Sequence, residues 1–271
     1  MELKFIKTSP TENMTLLIET PVPREQHLEI AEKLIAYGSV YAEQAGYIED
    51  PENSLAEKRL QMMAGEFCGN ASLSLAAVLA AEKGLKMGEE TEIILEVSGA
   101  DSLVNCLMKK EEKGYSGRVA MPLPKAIEHK KFYLNGETYA LDVVVFEGIS
   151  HIIVPVSLWG EDAVKIAELA AKNWADEMPA AFGILLFDAE KGTCQPLVSV
   201  QGATLIWERG CGSGTSAIGA YLATQEGKSC SVSLKQPGGI MEAEVSVENG
   251  KITSLHITGK VSIVAKGTAY L

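Results

Sequence analysis

Two short stretches of this 271-residue chain carry the residue types from which a proton-transfer site is built. CGNAS at 68–72 and CGSGT at 211–215 each set a cysteine before a glycine and a turn rich in Ser, Thr or Asn. Aligning the cysteines also aligns Ala77 with Ala220, Leu79 with Leu222, Ala80 with Ala223 and the closing Gly84 with Gly227, at an offset of 143 residues, close to half the chain. Each segment reads as a Cys-Gly turn, a polar first turn that caps a helix, a helix of small residues and Leu, and a glycine stop.

Two cysteines at two helix starts suit one kind of chemistry. Removing the α-proton of an amino acid leaves a poorly stabilised carbanion, and inverting the centre needs a base on one face and an acid on the other. A thiolate and a thiol supply both and exchange roles with the direction of reaction. A helix N-terminus adds roughly half a positive charge and several unpaired N–H groups. It is expected to lower the thiol pKa from about 8.5 toward the working pH. It also holds the α-carboxylate, each placed donor being worth on the order of 3 kcal/mol of barrier. Gly69, Gly212 and Gly214 allow that close approach, while Asn70 and Ser213 add polar side chains at the same turns. Glu208, three residues before Cys211, can hold the ammonium beside a thiolate.

Placing these residues requires a repeated scaffold. A strand-like run follows each helix, EIILEVSG at 92–99 and CSVSLKQPGG at 230–239, so two similar lobes facing each other are the economical expectation. Lys4–Ile6 and Thr15–Ile18 flank a polar loop, and Pro23 opens a helix-like segment with Leu28, Ala31, Leu34 and Ile35 on its apolar face. Asn135-Gly136 and Asn249-Gly250 each separate two strand-like runs and predict hairpins. The fold class is α/β (α+β), with antiparallel sheet prominent. The lobes are expected over 1–118, with 262–271 returning to it, and over 119–261.

Composition excludes several partners. A net charge of -12 repels phosphate backbones and anionic lipid surfaces, and the densest basic stretch, Lys109, Lys110 and Lys113, is interleaved with Glu111 and Glu112 as a solvated hairpin tip. Nucleic acid and membrane are therefore not expected as partners. The start MELKFIKTSP has no long apolar region before Pro10, and no apolar run approaches the ~18 residues of a membrane span. Five cysteines, an odd number without CxxC or Cys/His spacing, point to reduced thiols, a cytoplasmic setting and no metal site. Cys106, Cys194 and Cys230 read as structural. The histidines His27, His129, His151 and His256 are scattered, His151 alone lying near a matched position.

FCGNAS at 67–72 resembles the first active-site motif of the cofactor-independent diaminopimelate epimerases, and ERGCGSGTSA at 208–217 resembles their ERG segment joined to the CGTGTSA motif of the proline racemases. Asn13 stands where the epimerases have a loop asparagine, Gln44 where they have the glutamine of an Asp-Gln pair, and PGGIMEAEV at 237–245 matches their PGG strand. Within that superfamily, EQAGYIE (43–49), EFCGNA (66–71), LIWE (205–208), QPGG (236–239) and GTAYL (267–271) are most similar to the histidine racemases of metallophore biosynthesis. The resemblance implies two pseudo-symmetric lobes, each a mostly antiparallel sheet around a central helix, a homodimer, and racemisation of an amino acid with no cofactor. It implies Cys68 and Cys211 as the acid/base pair, Gly69, Asn70, Gly212 and Ser213 on the carboxylate, and Glu208 with Asn13 on the α-amino group. Glu43, beside Gln44, can accept from a substrate imidazole.

Departures from the epimerases bear on the substrate. Where they hold a distal amino-carboxylate with asparagines, this chain has Met62, Ile149 and Leu185. Apolar groups leave a buried carboxylate unpaired, at a cost of several kcal/mol. Histidine is the expected substrate, with diaminopimelate or another amino acid second, since Arg209 remains a carboxylate partner. Two readings of other classes compete. Gly212, Gly214 and Ala217 match a G-x-G-x-x-A dinucleotide spacing, as in a nucleotide-dependent oxidoreductase, but no acidic ribose partner follows ~20 residues on. A non-catalytic amino-acid-binding module would not need both cysteines.

Overall fold

The computed structural model describes residues 1–200 and 204–271. In chain order the elements are β1 (Glu2–Pro10), β2 (Thr15–Ile18), α1 (His27–Ile35), β3 (Gln44–Glu49), β4 (Lys58–Met62), α2 (Gly69–Glu82), β5 (Glu90–Val97), β6 (Val104–Lys110) and β7 (Tyr115–Ala120). Then follow β8 (Ala126–Leu134), β9 (Glu137–Val145), β10 (Ser150–Pro155), α3 (Val156–Trp159), α4 (Ala163–Asn173), β11 (Ala181–Asp188), β12 (Thr193–Val200), β13 (Thr204–Trp207), α5 (Gly212–Glu226), β14 (Cys230–Gln236), β15 (Gly239–Glu248) and β16 (Lys251–Tyr270). The chain divides into two compact units, Met1–Ala120 with Ile257–Leu271, and Met121–His256.

In the first unit the strand order runs β1 to β7 and on to β16, which pairs back with β1, so the sheet closes on itself. Helix α2 packs against β1 through β7. Twelve of its residues, Gly69 to Ala80, are buried. A helix apolar on all sides must sit inside a core rather than on a surface, and the closed sheet supplies that core. The pairs β1–β2, β3–β4, β5–β6, β6–β7 and β1–β16 are antiparallel, whereas β2–β3 and β4–β5 are parallel. Those two parallel steps are the ones bridged by α1 and α2, because parallel neighbours need a crossover.

The second unit repeats the scheme. Its order is β8-β9-β10-β11-β12-β14-β15, with β13 on β12. The parallel steps are β10–β11, bridged by α3 and α4, and β12–β14, bridged by α5. Helix α5 packs on β9, β10, β14 and β15. Trp174, Phe132, Phe182 and Ile184 lead an apolar cluster with α4. The mixed fold of antiparallel sheets around central helices is thus present in each unit.

Both Asn-Gly pairs turn hairpins, with Asn135 at φ 53 and Asn249 at φ 50, the left-handed geometry of a type I′ turn. Helix α1 departs from expectation at one residue. Its buried face is His27, Ile30, Ala31 and Leu34, whereas Leu28 is exposed. The His27 ring takes the inward place, stacked on Tyr47 with centroids 3.5 Å apart, and this turns Leu28 outward.

Candidate active site

Cys68 and Cys211 are the N-caps of α2 and α5, both in extended conformation (φ -136, ψ 112 and φ -108, ψ 109). Each sulfur accepts from the backbone N–H three residues on, Ala71 at 3.4 Å and Gly214 at 3.2 Å. The next turn is matched as well. Ser72 Oγ donates to Cys68 O at 2.8 Å and Thr215 Oγ1 to Cys211 O at 2.7 Å. The Ser/Thr/Asn-rich turns were expected to cap the helices. Instead the hydroxyls bond backward four residues, and the cysteine sulfurs do the capping.

Around Cys68 the first unit brings its expected site residues into one network. Gln44 Oε1 accepts from Cys68 Sγ at 3.1 Å, and Gln44 Nε2 donates to Asn13 Oδ1 at 2.7 Å and to Thr15 Oγ1 at 2.9 Å. Asn13 Oδ1 also accepts from Asn70 Nδ2 at 3.0 Å, and Asn13 Nδ2 donates to Glu43 Oε2 at 2.6 Å. Asn13, Gly69 and Asn70 are buried, whereas Cys68, Glu43 and Gln44 are half-buried. Glu43 therefore joins the site by a bond as well as by adjacency to Gln44. Thr15 had not been singled out by sequence.

Around Cys211 the second unit assembles Gly212, Ser213, Gly214 and Glu208, with His151 from β10 and Gln236 from β14. Gln236 Oε1 accepts from Cys211 N at 2.8 Å, and its Nε2 donates to Thr215 Oγ1 at 2.6 Å. Nothing in the local spacing marked Gln236, although it lies in the QPGG stretch. Ser213 Oγ stands 3.5 Å from Cys211 Sγ. Gly214 has a steric reason: a Cβ there would lie 2.9 Å from Leu185 Cδ2 and 3.1 Å from Cys211 Sγ. The expected lowering of the thiol pKa is not met at Cys211. Burial pushes it well above its ordinary value, the Glu208 carboxylate pushes the same way, and the Ser213 and Gly214 donors only oppose this.

The three remaining thiols lie on β6, β12 and β14. Cys106 and Cys194 are buried on strands, and burial raises both thiols. Cys230 donates to Gly219 O at 3.6 Å. Arg209 is exposed and donates to Pro237 O at 3.2 Å. Trp207 packs on the α4 core and donates to Glu168 at 2.9 Å. Met62 and Leu185 are buried, and Ile149 is half-buried. Gly212, Gly214 and Ala217 lie within α5, and the strand before it, β13, is antiparallel to β12, which is not the βαβ setting of a dinucleotide site. Among the described residues no three His, Cys, Asp or Glu side chains converge on a metal position, and no helix is long and apolar enough to cross a membrane.

Comparison with known proteins extends the match beyond these motifs. A family model described as the histidine racemase CntK N-terminal domain matches residues 2–270. A histidine racemase of Fusobacterium nucleatum is 32% identical over 272 residues, covering 99% of this chain and 97% of that protein. One from Staphylococcus aureus is 29% identical over 99% of this chain and 98% of its own. Among solved structures, a hydroxyproline epimerase from Agrobacterium vitis, with bound trans-4-hydroxy-L-proline, superposes with a TM-score of 0.73 at 14% identity, covering 100% of this chain and 93% of its own. An enzyme described as a predicted epimerase from Pseudomonas aeruginosa gives 0.68 at 14% identity, covering 98% of each chain. At such identity these two structures speak for the fold alone. The full-length family match and the identity to histidine racemases say more: this chain is an isomerase of the racemase/epimerase type and belongs to the histidine racemase family.

Proposed function

We propose that the protein interconverts L- and D-histidine without a cofactor, using Cys68 and Cys211 as the acid/base pair. One cysteine, as thiolate, takes the α-proton, and the other, as thiol, delivers a proton to the opposite face. The carbanion's charge spreads into the substrate carboxylate, which the N–H groups of Gly69, Asn70, Gly212 and Ser213 hold. Glu208 and Asn13 meet the α-ammonium, Gln44 fixes Asn13 and the Cys68 sulfur, and Glu43 accepts from the imidazole. The observation that carries this reading is the matched geometry of the two cysteines, each an N-cap whose sulfur accepts from the N–H three residues on. A binding module has no need of that pair.

Buried, apolar Met62 and Leu185 favour histidine over diaminopimelate. Five cysteines outside any disulfide support a reducing cytoplasm. Family resemblance supports a homodimer and D-histidine destined for a metallophore. Incubation with single L-amino acids in heavy water, free of pyridoxal phosphate, tests the activity. L-Histidine is expected to yield D-histidine carrying α-deuterium. If neither histidine nor any other amino acid exchanges its α-hydrogen, the reading is lost.

A further inference from the structure

Ser213 stands between a histidine and a cysteine. The His151 ring is wholly buried, and its Nε2 lies 2.9 Å from Ser213 Oγ. Ser213 Oγ is in turn 3.5 Å from Cys211 Sγ, where either atom can donate. The direction of both bonds follows from the other ring nitrogen. His151 Nδ1 is buried without a hydrogen-bond partner. On the parallel strands β10 and β11, His151 sits opposite Gly183, and a Cβ on that glycine would lie 2.3 Å from Nδ1. Nδ1 is therefore pressed against a bare Cα.

A buried N–H without an acceptor is the rarer and costlier orphan, whereas an unused acceptor lone pair is better tolerated. The imidazole proton therefore belongs on Nε2, which donates to Ser213 Oγ. Having accepted from the ring, the hydroxyl turns its own single proton to the acceptor within reach, the Cys211 sulfur. Burial keeps the ring neutral, with its pKa lowered to about 3, so this polarity holds through the neutral range.

We propose that His151 is a positioning residue that, through Ser213, aims a hydroxyl proton at Cys211 Sγ and favours the thiolate. The groups around Cys211 leave this task to it. Glu208, on the segment before α5, opposes the anion, and the Ser213 and Gly214 donors favour it. Gln236 from β14 bonds the Cys211 backbone nitrogen. From β15, uncharged Met241 meets Thr215, and Ala243 and Val245 lie against Gly219. Asp142 on β9 bears on Tyr221, further along α5. In this arrangement the Ser213 hydroxyl serves the thiolate, and its backbone N–H serves the carboxylate.

The consequence for turnover rests on Cys211 being catalytic, so the test reads the sulfur directly. Protein labelled with [3-13C]cysteine, its Cys211 resonance identified with Cys211→Ser, is titrated for wild type, His151→Leu, His151→Gln and Ser213→Ala, alongside pH profiles of kcat/KM. His151→Leu and Ser213→Ala are expected to raise the Cys211 midpoint by about one unit, tenfold in thiolate at fixed pH. His151→Gln, whose amide replaces the Nε2–H, should restore it, and the Cys211 limb of the kcat/KM profile should move in parallel. An unchanged midpoint in Ser213→Ala, or no rescue by Gln in a folded variant, overturns the proposal. A shifted midpoint in a protein that still racemises as Cys211→Ala would instead remove Cys211 from catalysis and leave the positioning intact.

Discussion

Gln44 Oε1 accepts from the Cys68 thiol at 3.1 Å, and Gln44 can do so in one orientation only. Its Nε2 is committed to Asn13 Oδ1 and Thr15 Oγ1, which leaves the oxygen for sulfur. Gln44→Leu removes the acceptor and both donors while keeping the side chain's bulk. Leaving the neutral partners of a deleted group unsatisfied costs about 1–3 kcal/mol, so kcat/KM should fall roughly 5- to 100-fold. Chiral chromatography of the product reads this. Activity within twofold of wild type would remove Gln44 from the site.

The five cysteines should divide two against three. Cys68→Ala or Cys211→Ala deletes the acid or the base on one face and is expected to abolish racemisation. Cys106→Ala empties only a small volume under β6, which costs roughly 1 kcal/mol of stability and little activity. Parallel activity assays and thermal melts of the three variants check both statements. Loss of turnover in a well-folded Cys106→Ala protein would contradict the division.

Stability should fall on both sides of neutrality. Cys106, Cys194 and Cys211 hold their protons more tightly folded than unfolded, because burial penalises each thiolate. A raised folded pKa contributes stability that is complete below the unfolded value, ordinarily 9.0, and is lost as pH rises toward the folded one. Burial acts oppositely on His151, lowered from 6.5 to about 3, and it lowers His27 as well. Their contribution is present above 6.5 and is lost as pH falls toward the folded values. Melts across the pH range should show a plateau between these limits, with Cys106→Ala flattening the alkaline side. A Tm that keeps climbing past about pH 9 would refute this.

The two cysteine helices and the two Asn-Gly hairpins were legible because each is encoded within a few consecutive residues. Gln236 and the Asn13–Glu43 bond were not derivable in the same way, since strand register and helix packing bring together residues 25 and 30 positions apart. The raised thiol of Cys211 was misread for a related reason. A helix start is visible in sequence, but the burial that outweighs it is a property of the packed unit. Ser72 and Thr215 look like caps in sequence, and only the extended backbone at Cys68 and Cys211 shows that sulfur holds that place.

Gly214→Ala probes that sulfur cap most directly. Alanine is the better helix former by about 1 kcal/mol, so a purely structural account predicts a neutral or stabilising change. The packing predicts otherwise for activity. The new methyl would lie 2.9 Å from Leu185 Cδ2, which must turn aside, and 3.1 Å from Cys211 Sγ, which must give by a few tenths of an ångström through rotation about one bond. Displacement lengthens the 3.2 Å bond from Gly214 N–H and misaims the thiol. Since misplacement of about 1 Å at a reacting group can cost about 100-fold, kcat should fall by one to two orders of magnitude while Tm changes by a few degrees at most. Steady-state kinetics in both directions, with a melt of the same preparation, separate the two accounts. A variant equally active and equally stable would show that Cys211 does not depend on its cap.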